Sequence, residues 1–463
     1  MSETQSAANP LGTEKIGKLL WGFAIPGIVS QVINSLYNMV DQIFIGQGVG
    51  MLGNGATNII APITIAAIAL SALFGDGLST YFSLQLGMGQ SKKAAHAVGS
   101  AMIAGTSISV LLTVIVLATL EPLCRIFGST DNILPYALEY GRIVACGFPF
   151  VMIAVVLNGV IRADGSPKYS MMSMLVGSIL NVVLDPLFIF VFDMGVSGAA
   201  YATVISQFVN MVLHIVYMFR FKNIKLTKEA FRFRAGLSAK LASLGIASCL
   251  NTLTSTIISI VSNNMLTYYG ALSIYGEDIP ITVLGLCMKV SMLFFSVAMG
   301  ITGASRPILG FNYGAKKMDR VKKTLYLILG STTIVLIVAW LVYLIFPLPL
   351  IRVFGAESPL YEEFAVKCFR IYLLASFLGG VQLCAGTLFQ AIGSPGKATL
   401  VSLAKQVVFY VPAMVIFANI SGLMGILWAG PVSELLAFIL AGILLAREVR
   451  RMSRASTGED KLQ

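Results

Sequence analysis

The chain is a succession of long apolar runs, bounded by turn or charge signals. They fall at about 19–46, 54–87, 94–120, 132–161, 169–192, 197–220, 240–269, 279–311, 321–347, 360–391, 398–418 and 422–446. Most reach roughly 20 residues or more, which as a helix crosses about 30 Å of hydrocarbon. Hydrocarbon offers the backbone no hydrogen bonds, so only helices and closed barrels span it. A barrel would show alternating segments of about ten residues, and these runs, rich in Leu, Ile, Val, Ala and Gly, are longer. Twelve helical spans are therefore predicted. Only 11% of the 463 residues are charged, whereas a soluble domain carries about 25%. The fold class is an all-α polytopic membrane protein.

The net charge of +11 is concentrated in alternate short connections. Lys92 and Lys93, Arg162 and Lys168, Arg220 to Arg234, Lys316 to Lys323, and Lys397 mark them; the other connections hold chiefly Arg125 and Arg352. This is a topology signal rather than a nucleic-acid footprint. By the positive-inside rule the basic loops are cytoplasmic, and Lys15, Lys18, Arg447, Arg450, Arg451 and Arg454 place both termini there too. The polar start, MSETQSAANPLGTEKIGK, lacks the pattern of a removable signal peptide. The six cysteines show neither CxxC spacing nor nearby histidines, so they read as packing residues.

The two halves resemble each other. EPLCRIFGSTDNILPYALEYGRI from Glu121 parallels FPLPLIRVFGAESPLYEEFAVKCFRI from Phe346, Gly165-Ser166-Pro167 recurs as Gly393-Ser394-Pro395, and GMGQSKKAA near Gly87 has a counterpart in NYGAKKMDR near Asn312. An even number of spans per half gives parallel repeats: two six-helix bundles with a cleft between them. The expected division is an N-terminal lobe, 1–221, a basic cytoplasmic linker, 222–240, and a C-terminal lobe, 241–463.

Within the apolar runs a few polar residues stand out. In the first span Asn34, Asn38 and Asp41 share one helical face, with Tyr37 adjoining Asp41. In the fifth, Asn181 and Asp185 repeat the i, i+4 spacing, and Pro186 removes a backbone donor beside the acid. Counted along the helices, Asp41, Asp185, Thr203 and Tyr140 all lie about 8–14 Å below the external surface. Two carboxylates, an amide and two hydroxyls at one level suit a proton or a small hard cation such as Na⁺. Asn34, Asn38 and Thr203 taken singly read as helix–helix glue. An acid inside the membrane costs about 2.5–3.5 kcal/mol and is functional by default. The expected ion-coupling set is Asp41, Asn181, Asp185, Thr203 and Tyr140, with Asn34, Tyr37 and Asn38 as candidate cavity residues. No fixed metal and no cofactor is expected, only H⁺ or a transient Na⁺ at Asp41, Asn181, Asp185 and Thr203.

Other polar positions read differently. Asp76 balances a helix-end role against a functional one, and Lys289, Lys405 and Glu434 are as readily paired structural charges as substrate contacts. Arg142 and Arg370 occupy matched repeat positions. His96 falls in a loop and His214 near a span end, too far apart for a ligand set. The methionines, including Met152, Met171, Met172 and Met174, read as packing.

These features together resemble the MATE family of multidrug and toxin extrusion transporters, in its bacterial branch with an N-lobe acidic site. The resemblance rests on the span from Pro26 to Asp41 ending in VDQIFIG, the Asn181-x-x-x-Asp185-Pro186 pattern and the repeated Gly-Ser-Pro loops. It implies a non-enzymatic exporter of lipophilic organic cations, open outward, in the inner membrane, exchanging substrate for H⁺ or Na⁺. It also implies that Asn158 lines the cavity. Neither nucleic acid nor an obligate protein partner is expected. In the second half Ser259 stands near where Asp41 would repeat, and KQVVFYVP has no acid, which confines coupling to the first. Two rival readings are a lipid-linked saccharide flippase, which needs a cationic cavity, and an intramembrane aspartyl protease, whose Gly-x-Gly-Asp motif is replaced by Leu73-Phe74-Gly75-Asp76.

Overall fold

The computed structural model describes residues 9–353 and 358–457, and these are almost entirely helical. The first half runs α1 (Pro10–Thr13), α2 (Ile16–Gly48), α3 (Met51–Gly87), α4 (Ser91–Ile126), α5 (Leu134–Cys146), α6 (Phe148–Ala163), α7 (Pro167–Pro186) and α8 (Gly195–Met218). The second runs α9 (Ala235–Ala271), α10 (Asp278–Gly314), α11 (Met318–Ile345), α12 (Pro347–Val353), α13 (Pro359–Tyr372), α14 (Gly379–Ala391), α15 (Pro395–Leu403), α16 (Val411–Ser421) and α17 (Leu423–Thr457). Among the described residues, eleven helices are long and apolar enough to cross a membrane. The twelfth span is the pair α5 and α6, bent by 45° at Gly147. The chain is a multi-pass membrane protein.

Local chemistry explains where the helices depart from regularity. Pro186 closes α7 and gives way to a π turn, Leu187–Val191, because its ring supplies no N–H to the ladder. A second π turn, Ala404–Tyr410, separates α15 from α16 in the other half, shortly before Pro412. Two expectations change. His96 lies within α4 rather than in a loop, beside Arg234 at 3.4 Å, and Asp76 sits well inside α3 rather than at its end.

Packing divides the bundle into one shared core and two separate ones. At the end that carries α1 and the connection between α8 and α9, here the linker end, Leu20, Leu78 and Leu157 of the first half share a core with Ile308, Leu325 and Leu388 of the second. Toward the far end the apolar contacts split. Ile45, Ile60, Leu120, Val144 and Ile189 form one cluster, and Cys287, Phe364, Phe369, Met414 and Leu427 another. The helices are joined at one end and fork at the other.

The joint is made by backbone contact. A Cβ on Gly77 would fall on the Leu241 carbonyl oxygen, and one on Gly245 on that of Leu73, so α3 and α9 cross without an intervening side chain. Gly27 of α2 and Gly300 of α10 meet similarly. Such small-residue crossings let dispersion, summed over many close atoms, hold helices together where lipid competes for every apolar surface. Ser35 and Ser296 add a hydroxyl pair at 2.8 Å. At the linker end the carbonyl oxygens of α1 and the turn after it are taken up by the second half. Asn312 donates to Leu11 O (2.9 Å), Lys317 to Gly12 O (2.8 Å) and Arg320 to Glu14 O (2.7 Å).

Gly77→Val is expected to drive α3 off α9 at a cost of about 1–3 kcal/mol or more, the range for overpacking a close contact. Thermal unfolding in detergent should show a clear loss of midpoint, whereas Gly17→Val, where a Cβ would meet nothing within 4 Å, should change it little.

Candidate functional site

The buried residues of α7 are Pro167, Ser170, Ser173, Gly177, Asn181 and Asp185, small and polar side chains at three- and four-residue spacing. They form one stripe facing α8, whose buried face includes Thr203, Ser206, His214 and Tyr217. A stripe with so few bulky groups admits polar neighbours, and at its far end α2 brings in Asp41. Asp41 lies about 10 Å from the end of α2, and Thr203 about 12 Å from the start of α8.

Four helices meet here. The carboxyls of Asp41 and Asp185 lie within hydrogen-bonding reach of each other, Tyr37 reaches Thr203, and Tyr37 and Tyr140 both lie within electrostatic reach of the two acids. Asp185 and Asn181 are fully buried, and Asp41, Tyr140 and Thr203 nearly so. The Asn181 amide satisfies both neighbours when its nitrogen donates to Asp185 Oδ2 (2.9 Å) and its oxygen accepts from the Thr203 backbone N–H (3.2 Å). Asp41 Oδ1 has no hydrogen-bond partner among the described residues. Carboxylates this close repel each other unless a proton or a cation lies between them.

The other candidate positions separate from this cluster. Asn34 is exposed on α2, and the side chain of Asn38 lies outside the described residues. Asn158 stands apart: it donates to Ser170 Oγ (2.8 Å) and contacts His214 Nε2 (3.2 Å). Ser170 is three turns from Asn181, about 16 Å along α7. His214 Nδ1 is 2.7 Å from Asn210 O, so Nδ1 carries the proton and Nε2 accepts from Asn158. Among the described residues, no three His, Cys, Asp or Glu side chains converge as a metal site would.

A second cluster is missing from the sequence-based list. Asp76 of α3 pairs with Arg306 Nη1 of α10 at 2.9 Å and accepts from Ser248 Oγ of α9 at 2.5 Å, while Gln390 donates to Ser248 (3.3 Å). Arg162 of α6 lies within electrostatic reach of both charges. The signal for Arg306 was present, a cation in the middle of the apolar run GITGASRPILG. Arg162 was hidden because it sits in the last turn of its helix and reads as part of a loop. Lys405 and Glu434 form an ion pair, and Lys289 is exposed.

Asn181→Leu leaves Asp185 Oδ2 without its amide donor in a buried setting. The expected cost is about 1–3 kcal/mol, read as a lower thermal midpoint in detergent. An unchanged midpoint would show that the amide bridges nothing.

The MatE family model matches residues 26–187 and again 247–416, one match in each half of the chain. Multidrug export protein MepA of Staphylococcus aureus (strain MRSA252) is 24% identical over 447 residues, 96% of each chain. Among solved structures, that of the MATE multidrug transporter DinF-BH superimposes with a TM-score of 0.88 at 32% identity, over 96% of this chain and 98% of that one. MATE in complex with MaD3S gives a TM-score of 0.90 at 22% identity, over 97% and 99%. These matches exclude the peptide-cleaving alternative, since the family consists of transporters rather than enzymes. The duplicated helical bundle, the far-end fork and the match in each half lead to one assignment: the chain belongs to the MATE family of membrane transporters.

Proposed function

We propose that this protein is a secondary active multidrug exporter of the bacterial cell membrane, which moves lipophilic organic cations outward in exchange for H⁺ or Na⁺. The observation that carries the reading is the facing pair Asp41 and Asp185, with Asp41 Oδ1 unpartnered inside an otherwise satisfied polar cluster. The names of MepA and DinF-BH, which describe multidrug export and transport, agree with it. With the basic loops in the cytoplasm, both termini are cytoplasmic, the joined end faces inward and the fork opens outward. Residues 1–221 and 241–463 are then two lobes joined by the linker 222–240.

The chemistry follows from charge. A proton or Na⁺ arriving from outside neutralises the acid pair, with Asn181, Thr203, Tyr37 and Tyr140 supplying oxygens around it. A cationic substrate held by the same charge then loses its attraction, so ion and drug compete for one negative site. Pro26 lies inside α2, one residue before the Gly27–Gly300 contact. Repacking of α2 there is the step that couples occupancy of Asp41 to the angle between the lobes. Moving one charge across 100 mV is worth about 2.3 kcal/mol. Exchange of one H⁺ for one monovalent drug therefore draws on the pH gradient alone.

The flippase reading draws on one observation, the approach of Arg162 to Arg306 between the halves. Arg306 is already neutralised by Asp76, which leaves Arg162 as the remaining guanidinium of that cluster where a pyrophosphate would call for several.

Asp41→Asn is expected to abolish resistance and efflux of a fluorescent organic cation in a drug-sensitive host, with the protein still inserted at wild-type level. Full resistance in that variant would remove the site from the mechanism. Energised vesicles assayed with and without a sodium gradient then separate Na⁺ from H⁺ coupling.

A further inference from the structure

The second half contains a cavity of about 310 Å³ whose polar lining is left partly unused. Lys405 and Glu434 form an ion pair across it through Glu434 Oε1. Glu434 Oε2, Gln406 Oε1 and Ser376 Oγ are buried there without a hydrogen-bond partner among the described residues. Gln406 is otherwise fixed, donating to Ser255 Oγ (3.0 Å) and Asn251 Oδ1 (3.2 Å), so its carbonyl is held in place. Lys405 and Gln406 stand on the π turn Ala404–Tyr410, an arrangement that recurs at functional sites. The volume falls in the range of small-molecule pockets, about 300–1,000 Å³. Tyr372 and Met288 give the lining an aromatic ring and a thioether.

The repeat indicates that this site is an addition to the shared scaffold. With Gly165–Pro167 laid on Gly393–Pro395, Gly177 falls on Lys405 and Ser206 on Glu434. In the first half those two residues are also neighbours, a Cβ on Gly177 lying 3.4 Å from Ser206 O. One half crosses its helices there with glycine and serine, and the other with a half-buried ion pair.

We infer that the cavity between α9, the π turn and α17 is a second cation subsite, selective for substrates that carry N–H donors such as amidinium, guanidinium or primary ammonium groups. An orphaned carboxylate oxygen and an orphaned amide oxygen both ask for donors. A quaternary cation offers none and cannot satisfy them. Lys405 holds the first carboxylate oxygen and leaves the second as an acceptor for the ligand. The inference rests on the export reading above and names a substrate class within it.

The test measures equilibrium binding to the purified protein in nanodiscs for two probes, the fluorescent bis-amidine diamidinophenylindole and the donor-free tetraphenylphosphonium. Replacing both partners, Lys405→Met with Glu434→Met, keeps volume and removes the two half-buried charges together, which folds tolerate well. The expected result is a loss of about tenfold or more in affinity for the bis-amidine, with tetraphenylphosphonium binding unchanged. Equal losses for both probes, or no loss for either, would overturn the subsite. If the double variant does not fold, Gln406→Leu carries the same expectation and the same overturning result. Export of both probes by the wild type is measured alongside. A protein that binds both but exports neither overturns the export reading, and the binding difference still decides the cavity.

Discussion

No side chain larger than hydrogen fits where α3 crosses α9, and the rest of the molecule hangs from that contact. Gly77 lies against the backbone of Leu241 and Gly245 against that of Leu73. Close approach of two backbones sums many small dispersion gains in a medium where apolar burial by itself decides little. Because the contact lies near the linker end, the halves share a core there and hold separate cores toward the far end. The fork is thus a consequence of where glycines fall in two helices.

Three charged arrangements inside the bundle differ in how many of their carboxylate oxygens are taken up. Asp76 is paired with Arg306 and accepts from Ser248, which ties α3, α9 and α10 together across the joint. Lys405 and Glu434 are paired but leave one carboxylate oxygen over. Asp41 and Asp185 face each other with no basic partner bonded to either among the described residues. A carboxylate with both oxygens taken up in a low-dielectric interior behaves as a rivet, whereas an unpaired acid titrates or binds a cation. Completeness of pairing, more than depth, separates structural acids from a candidate coupling site.

Much of this was legible in the residues. Long apolar runs and clustered Lys and Arg specify spans and loops directly, because lipid imposes one periodicity and one charge rule on every membrane helix. Asp41, Asn181, Asp185, Thr203 and Tyr140 could be set at one level because helical rise converts sequence position into depth. Partners cannot be counted that way. Nothing in the sequence says that Arg306 reaches Asp76, since the two are far apart in the chain and meet only through the α3–α10 crossing. Asn158 shows the same limit. It shares a half with the acids, yet its amide is spent on Ser170 and His214, about three helical turns away from them. The bend at Gly147 and the two π turns also escaped, because apolar composition reads the same through a distorted ladder as through a regular one.

The connection between the halves has its own anchorage. Asp164, just past α6, accepts the backbone N–H groups of Lys222 (2.7 Å) and Asn223 (2.9 Å) and the Tyr217 hydroxyl (2.9 Å). Burial pushes its carboxyl pKa up from the usual range, while those donors pull against the shift. Further along, the turn Lys228–Phe231 packs on α4, where a Cβ on Gly99 would fall on the Ala230 carbonyl. Arg234 then reaches His96 of the same helix. The segment is bonded along its length to the first half and is no slack tether. Any swing of one half against the other is therefore levered at the start of α9, where the chain leaves its last hold on α4.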